Sequence, residues 1–230
     1  FKANNLKKIV KNITLIIPAK HESESLPIVL DELNKFKVRK IIVLEKNDLL
    51  TLKSIKKKNC KIIVQKKTGY GSAIIEGVAK SKTKYSCIFN ADGSFKPHDL
   101  AIMKKKIDKG NHFVFGSRYE KRGGSDDDTI ITYIGNLIFT FLGNFLFSLK
   151  ITDILYTYVL FDTKKFNSLK LKSLDFKLCV ELPIQANFNK YKITSIGCYE
   201  RKRIAGKKKV NEFKDGFLIL IKMFELFFKK

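Results

Sequence analysis

Five short apolar runs divide the first half of the chain: Ile13 to Ile17, Lys40 to Leu44, Lys61 to Gln65, Tyr85 to Phe89 and His112 to Phe115. Their β-branched content predicts strands, and the segments between them read as helices. Strands alternating with helices in this way imply a largely parallel sheet covered on both faces. In such sheets ligands bind beyond the carboxyl ends of the strands. The residues just after each run are therefore where chemistry is expected.

Those residues are polar or glycine-rich. Pro18-Ala19-Lys20-His21-Glu22 follows the first run and Lys67-Thr68-Gly69-Tyr70-Gly71-Ser72 the third. Asn90-Ala91-Asp92-Gly93-Ser94 follows the fourth and Gly116-Ser117-Arg118-Tyr119 the fifth. Gly and Asp also build ordinary turns, so each stretch alone says little. Four of them on one rim are harder to obtain by chance.

At 230 residues, 44% hydrophobic and 30% charged, the chain fits one globular domain over 1–230 rather than a disordered tail or a multi-span membrane protein. A formal charge of +24 calls for an anionic partner, whether nucleoside diphosphate, nucleic acid or acidic lipid. Of the 46 basic residues 41 are Lys, and the only Arg are Arg39, Arg118, Arg122, Arg201 and Arg203. That bias suits a solvated Lys coat and gives no reason to expect specific nucleic-acid recognition. Phosphate recognition uses the rigid fork of Arg, which puts weight on the few that are present. Cys60, Cys87, Cys179 and Cys198 lack CxxC or Cys/His spacing, so neither a zinc site nor a disulfide framework is expected, and a reducing cytosol fits. The opening, Phe1 to Lys11, is basic and mixed with no apolar run, so no export leader is expected.

The second half differs in character. Thr129 to Leu149 contains 21 residues without a charge, long enough to cross a bilayer. Gly135-Asn136 recurs as Gly143-Asn144, which sets two amides near one helix face, and such amides are costly in lipid without partners. A helix packed on the protein, or one at a membrane interface with Phe139, Phe141, Phe145 and Phe147 partly in lipid, is preferred to a span. Phe213 to Phe228 has apolar residues at helical spacing with Lys at its edges, and serves equally as a core-packing or an interfacial helix. Helices over 130–149 and 211–228 are the expected contacts with an anionic membrane surface. The loop Arg122 to Asp128, with two Gly and three Asp, reads equally as a mobile rim segment or a plain acidic loop.

The sharpest local feature is Asn90-Ala91-Asp92 at the end of an apolar run. A carboxylate there can hold Mg²⁺ or Mn²⁺ against a diphosphate; it can equally belong to an Asp-Gly turn. Lys67, with Gly69 and Gly71 at a helix start, can face a phosphate. Arg118 and Arg203 can clamp phosphate or sugar, or simply be solvated.

Together these stretches resemble the family 2 glycosyltransferases of the GT-A fold, in particular the dolichol-phosphate mannosyltransferase and bacterial polyprenyl-phosphate glycosyltransferase branch. The matching elements, in order, are IIPAKHE, KTGYGSAIIEG, FNADGSFKP, FGSRY, the Thr152-Asp153 pair, and RKRIAG followed by Asp215-Gly216. The resemblance implies an α/β, Rossmann-like, mostly parallel sheet flanked by helices, with residues 1–118 as the nucleotide-sugar half and 119–230 as the acceptor half. It implies that Pro18, Ala19, Glu22, Glu45, Lys67, Gly71, Asn90, Ala91, Asp92, Arg118 and Arg203 bind the donor. Asp92 would hold the metal with Asn90 or Ser94. Asp153, Asp92 and Arg118 would be the catalytic set, Asp153 as base or orienting carboxylate, and Glu181 would face the acceptor or act as a helix-dipole partner.

Two positions depart from the family pattern. Leu44-Glu45-Lys46-Asn47-Asp48 stands where a pair of Asp grips base and ribose, with Glu45 a better substitute than Asp48. Asn90 replaces the first Asp of Asp-x-Asp, removing one negative charge from the metal site. The expected activity is inverting transfer of a hexose from a UDP- or GDP-sugar to a polyprenyl-phosphate or glycan acceptor, assisted by Mg²⁺ or Mn²⁺, at the cytoplasmic face of a membrane. A catalytically degenerate nucleotide-sugar or lipid-binding homologue is the alternative that Asn90 motivates. A nucleic-acid-binding α/β domain rests on charge alone.

Overall fold

The computed structural model describes residue 10 and residues 12–229. Apart from Val10, the basic opening that argued against a leader lies outside the described residues, as does Lys230 at the end of the terminal Phe-Phe-Lys-Lys.

The five runs form β1 (Ile13–Ala19), β2 (Arg39–Leu44), β3 (Lys61–Val64), β4 (Tyr85–Ile88) and β5 (Phe113–Ser117). Between them lie α1 (Ser25–Leu33), α2 (Leu49–Ile55), α3 (Tyr70–Ala79) and α4 (Asp99–Asp108). After a two-residue β6 (Gly124–Ser125) come α5 (Ile130–Phe147), β7 (Val159–Asp162), α6 (Thr163–Ser168), α7 (Leu178–Phe188), β8 (Ile193–Gly197), β9 (Tyr199–Glu200) and α8 (Glu212–Phe228). Among the described residues seven strands make one sheet in the order β3-β2-β1-β4-β7-β5-β8, while β6 and β9 form a separate pair. Only β7 runs antiparallel. Because it is antiparallel to both β4 and β5, those two point the same way, and the carboxyl ends of β1 to β5 share one rim. β7 comes from the second half of the chain yet lies between two strands of the first, so the halves on either side of residue 118 share one sheet.

Side-chain alternation on the strands feeds two cores. Ile13, Leu15 and Ile17 pack toward α1 and α4, whose Leu26, Val29, Leu30, Leu100 and Met103 are buried. Ile16 points the other way, into a core shared with α3, α7 and α8. Burying each such side chain contributes about 1.5–3 kcal/mol, which outweighs the modest helix propensity of β-branched positions.

The uncharged stretch forms a helix with one buried stripe, Asn136, Thr140, Gly143 and Phe147. The Asn136 amide donates to the Tyr119 hydroxyl at 2.8 Å, and Asn144 exchanges hydrogen bonds with the Ile151 backbone at 2.8 and 3.1 Å. Both amides thus find partners inside the protein. Gly143 is required for close packing, since a Cβ there would stand 3.3 Å from Leu149 Cδ1 and closer to Ile154. Among the described residues α5 is the one helix long and apolar enough to cross a membrane, and only 22% of it is buried. Beside it, α8 buries Ile219, Lys222, Met223 and Leu226 at helical spacing. Lys222 Nζ lies 3.7 Å from the buried Glu181, and Glu181 also accepts backbone N–H groups from Lys172 and Ser173. Glu181 therefore anchors α8 and the 172–173 loop and does not face the rim.

Candidate active site

One cavity of about 980 Å³ opens at the carboxyl rim. Its polar floor is made by Pro18 and Ala19 after β1, Glu45 after β2, Asn90, Ala91 and Asp92 after β4, and Arg118 after β5. The segment leading into α8 closes one side with Arg203, Gly206 and Lys207 to Lys209. Its far end is apolar, between Ile131 and Phe139 of α5 and Phe213, Gly216 and Ile219 of α8.

The backbone explains why these side chains converge. Ile204 N–H donates to Asp92 O at 2.8 Å and Arg201 N–H to Ser94 O at 2.8 Å, which lays the 201–204 segment alongside the β4 end. Gly93 permits that approach: its φ is +85° and a Cβ there would meet Ile204. The glycine beside Asp92 thus makes room for the protein's own chain. Glu22 clasps the same segment from the other side, pairing with Lys209 Nζ at 2.7 Å while accepting from the Ser25 hydroxyl at 2.6 Å. Glu45 reaches Lys20 Nζ at 2.8 Å at the cavity mouth.

Arg118 is the hub of the site. Asp153 accepts from its Nε at 2.7 Å, its Nη2 at 3.0 Å and its backbone N–H at 3.2 Å. Asp128 lies 3.0 Å and Glu200 3.4 Å from Nη1. The guanidinium sits 5.0 Å from the centroid of the Tyr156 ring and 5.3 Å from that of Tyr119. Burial disfavours the charged guanidinium, but Asp153, Glu200 and Asp128 more than offset it and hold its pKa above the ordinary value. Burial pushes the Glu200 carboxyl up, opposed by Arg118 and the Ser125 hydroxyl. Arg203 has a smaller set: Asp127 at 2.8 Å and Asp92 Oδ2 at 3.7 Å.

Four expected residues sit elsewhere or act otherwise. Asp153 is fully buried, does not line the cavity and spends both oxygens on Arg118; that position suits an orienting carboxylate and leaves it no access to an acceptor proton. Gly71 and its neighbour Gly69 serve packing: a Cβ on Gly71 would stand 2.8 Å from Asp175 O and closer still to Ser173 O. The first turn of α3 donates from Ser72 N–H to Leu174 O at 2.9 Å, so the chain's own carbonyl takes the place expected for phosphate. Lys67 is exposed beside the cavity, its N–H held by Glu76 at 3.1 Å. Ser94 is buried under Asp92, donating its backbone N–H to Oδ1 at 3.0 Å and facing the Asn90 amide at 3.4 Å. Asp48 caps α2 and accepts from His21 N–H at 2.7 Å, a structural role, whereas Glu45 lines the cavity.

Among the described residues no three His, Cys, Asp or Glu side chains gather as a self-sufficient metal cage. The donor set is one carboxylate, Asp92, with the Asn90 carbonyl beside it. That fits a hard cation that completes its shell from a diphosphate, as Mg²⁺ commonly does.

Sequence reasoning missed Asp127, Asp128, Glu200 and Tyr156. Three consecutive Asp in a chain of charge +24 were a visible signal for the first two. The others are positioned by β9 and by the stretch before β7, which no periodicity announced.

A mostly parallel sheet with a charged cavity at its carboxyl rim is an architecture of nucleotide-binding α/β proteins. Residues 14–170 match the model of glycosyl transferase family 2, and the chain belongs to that family. An uncharacterized glycosyltransferase of Mycobacterium tuberculosis H37Rv is 31% identical over 106 residues, 46% of this chain and 48% of the relative, and a Mycobacterium bovis counterpart matches equally. The match thus spans about half the length of these curated relatives. Glucosyl-3-phosphoglycerate synthase from M. tuberculosis, solved with Mn²⁺, UDP and glucosyl-3-phosphoglycerate, superposes with a TM-score of 0.76 at 11% identity over 98% of this chain and 84% of its own. The same enzyme with Mg²⁺ and UDP gives 0.73 at 11% identity, over 98% and 83%. At such identities the likeness is one of fold, and it agrees with the GT-A arrangement that the sequence implied.

Proposed function

We propose that this chain is an inverting hexosyltransferase, peripheral at the cytoplasmic face of a membrane, that moves a sugar from a UDP- or GDP-sugar to a polyprenyl phosphate. The observation that carries this reading is that one cavity joins a polar floor at Asn90, Asp92 and Arg203 to an apolar groove between α5 and α8. A polar donor and an acceptor with a hydrocarbon tail both find matching walls in it.

A phosphate acceptor is favoured over a glycan hydroxyl because it is already nucleophilic. A hydroxyl would need a general base, and Asp153 is wholly engaged by Arg118. The acceptor oxygen attacks the anomeric carbon in line, the bond from that carbon to the diphosphate breaks, and the nucleoside diphosphate leaves. Glu45, Pro18 and Ala19 would hold the nucleoside, and Arg203 a phosphate. Mg²⁺ or Mn²⁺ on Asp92 and Asn90 would neutralise charge on the departing diphosphate.

The outer faces of α5 and α8 support membrane contact. Ile130, Phe141, Phe145, Phe217 and Phe228 are each more than half exposed, with exposed Lys150, Lys214 and Lys229 nearby in sequence. Apolar area flanked by cations is what binds an anionic interface.

The test is a transfer assay with labelled UDP- and GDP-hexoses, Mn²⁺ and polyprenyl phosphate in anionic vesicles. Label in the lipid extract is the expected result. Transfer only to soluble glycans would refute the acceptor assignment, and donor binding without any transfer would favour the degenerate homologue that Asn90 suggests. Protein that fails to float with the vesicles at low salt would remove the membrane contact.

A further inference from the structure

The chain carries a formal charge of +24, yet the two arginines that line its cavity are ringed by carboxylates. Asp92, Asp127, Asp128, Asp153 and Glu200 surround only two guanidiniums, Arg118 and Arg203. A diphosphate brings further negative charge to a place where the arginines are already paired. Lys207 and Lys208 line the same cavity, but for Arg203 itself to take a phosphate oxygen one of its carboxylate partners must give way.

Asp92 accepts the Ser94 N–H at 3.0 Å and lies 3.7 Å from Arg203; the other four carboxylates are not equally committed. Asp153 is fully buried with both oxygens on Arg118. Asp128 accepts from Arg118, from the Tyr119 hydroxyl at 2.9 Å and from the Thr132 hydroxyl at 3.2 Å, which ties it to the first turn of α5. Glu200 accepts from the Ser125 hydroxyl at 2.6 Å and sits on β9, paired with β6. Asp127 differs. Its side chain has one partner, Arg203 Nη2 at 2.8 Å, and both side chains of that pair are partly exposed at the cavity.

We infer that Asp127 is an internal competitor for the donor's phosphate: its carboxylate occupies Arg203 in the free protein and is exchanged for a phosphate oxygen when a nucleoside diphosphate binds. The neighbouring elements leave this exchange small. β6 and β9 pin the loop on one side and Asp128 pins it on the other, so only the Asp127 and Arg203 side chains need move. The exchange lowers affinity for the donor and, equally, for the nucleoside diphosphate product, which eases product departure. It also gives the Asp-Asp-Asp run a use that the proposed function alone does not.

This inference rests on the reading of the cavity as a donor site. The experiment compares wild type, Asp127→Asn and Asp126→Asn by calorimetric titration with UDP, GDP and inorganic pyrophosphate, each with Mg²⁺. Asp126 pairs with the Tyr199 hydroxyl and reaches neither arginine, so it controls for loss of loop charge. The expected result is binding about tenfold tighter in Asp127→Asn, the gain from removing one competing charge-assisted hydrogen bond, and unchanged binding in Asp126→Asn, with melting temperatures near that of wild type. Equal tightening in both variants assigns the effect to general charge and overturns the inference. So does equal or weaker binding in Asp127→Asn, and either result leaves the donor-site reading intact. Absence of binding to all three probes in every folded variant overturns the donor-site reading and this inference together.

Discussion

Replacing Asp153 by Asn removes a charge from a fully buried carboxylate without changing its shape. In the native arrangement that carboxylate accepts three hydrogen bonds from Arg118, at 2.7, 3.0 and 3.2 Å. Breaking a buried ion pair by removing one partner costs about 3–5 kcal/mol. Arg118 keeps Asp128 at 3.0 Å and Glu200 at 3.4 Å, so the lower end, about 3 kcal/mol, is expected. For a chain of this size each kcal/mol shifts the melting temperature by about 2–4 °C, giving a fall of about 6–12 °C. Thermal unfolding by calorimetry reads this directly, and nucleotide titration of the same sample reads the cavity. Nucleotide affinity should change by less than about threefold, because Asp153 does not line the cavity. If Asp153 were a proton acceptor, Asn would abolish transfer while leaving the melting temperature within about 1 °C of wild type, since exposed, unpaired groups contribute little to stability. That outcome would refute its assignment as the orienting partner of Arg118.

Other substitutions check the remaining framework. Gly71→Ala forces a methyl group against Ser173 O and Asp175 O and should cost about 1–3 kcal/mol in a thermal melt. Gly135→Ala meets nothing within 4 Å in the interior of α5 and should instead stabilise by up to about 1 kcal/mol. Burial raises the Asp48 carboxyl, but hydrogen bonds from His21 N–H and Thr51, with the His21 charge, more than offset this and hold it below the usual carboxylate range. A depressed folded pKa contributes stability above the unfolded value of about 3.9 and loses it as pH falls through the folded value. The melting-temperature gap between wild type and Asp48→Asn should therefore be full at pH 7 and shrink below about pH 4; a constant gap across that window would contradict it.

The first half of the fold was legible because its physics is local. β1 to β5 are short apolar runs, β1 and β2 rich in buried β-branched residues, and the polar or glycine-bearing stretches with Pro18, Gly69, Asp92 and Arg118 fall on the rim. β7 and β8 carry weaker signals. Val159–Asp162 is four residues long, and its place between β4 and β5 is decided by long-range pairing that no window of sequence contains. The site was legible where side chains face the cavity directly, as with Glu45, Asn90, Asp92, Arg118 and Arg203. It was less so where a motif residue serves the scaffold. Gly71 reads as an opening for phosphate, but it, like Gly93, admits the chain's own backbone or side chains. Asp127 and Asp128 read as an acidic loop because nothing local reveals that two arginines, one of them 76 residues away, would meet them.

The measurement that bears most directly on the central claim is calorimetric titration of the protein with UDP, GDP, CDP and their sugar conjugates, with Mn²⁺ and with chelator. Metal-dependent binding of one nucleotide is expected, lost in Asp92→Ala while the variant remains folded. Binding that persists in Asp92→Ala, or a folded wild type that binds none of these ligands, would contradict the placement of a nucleotide-sugar donor on this rim.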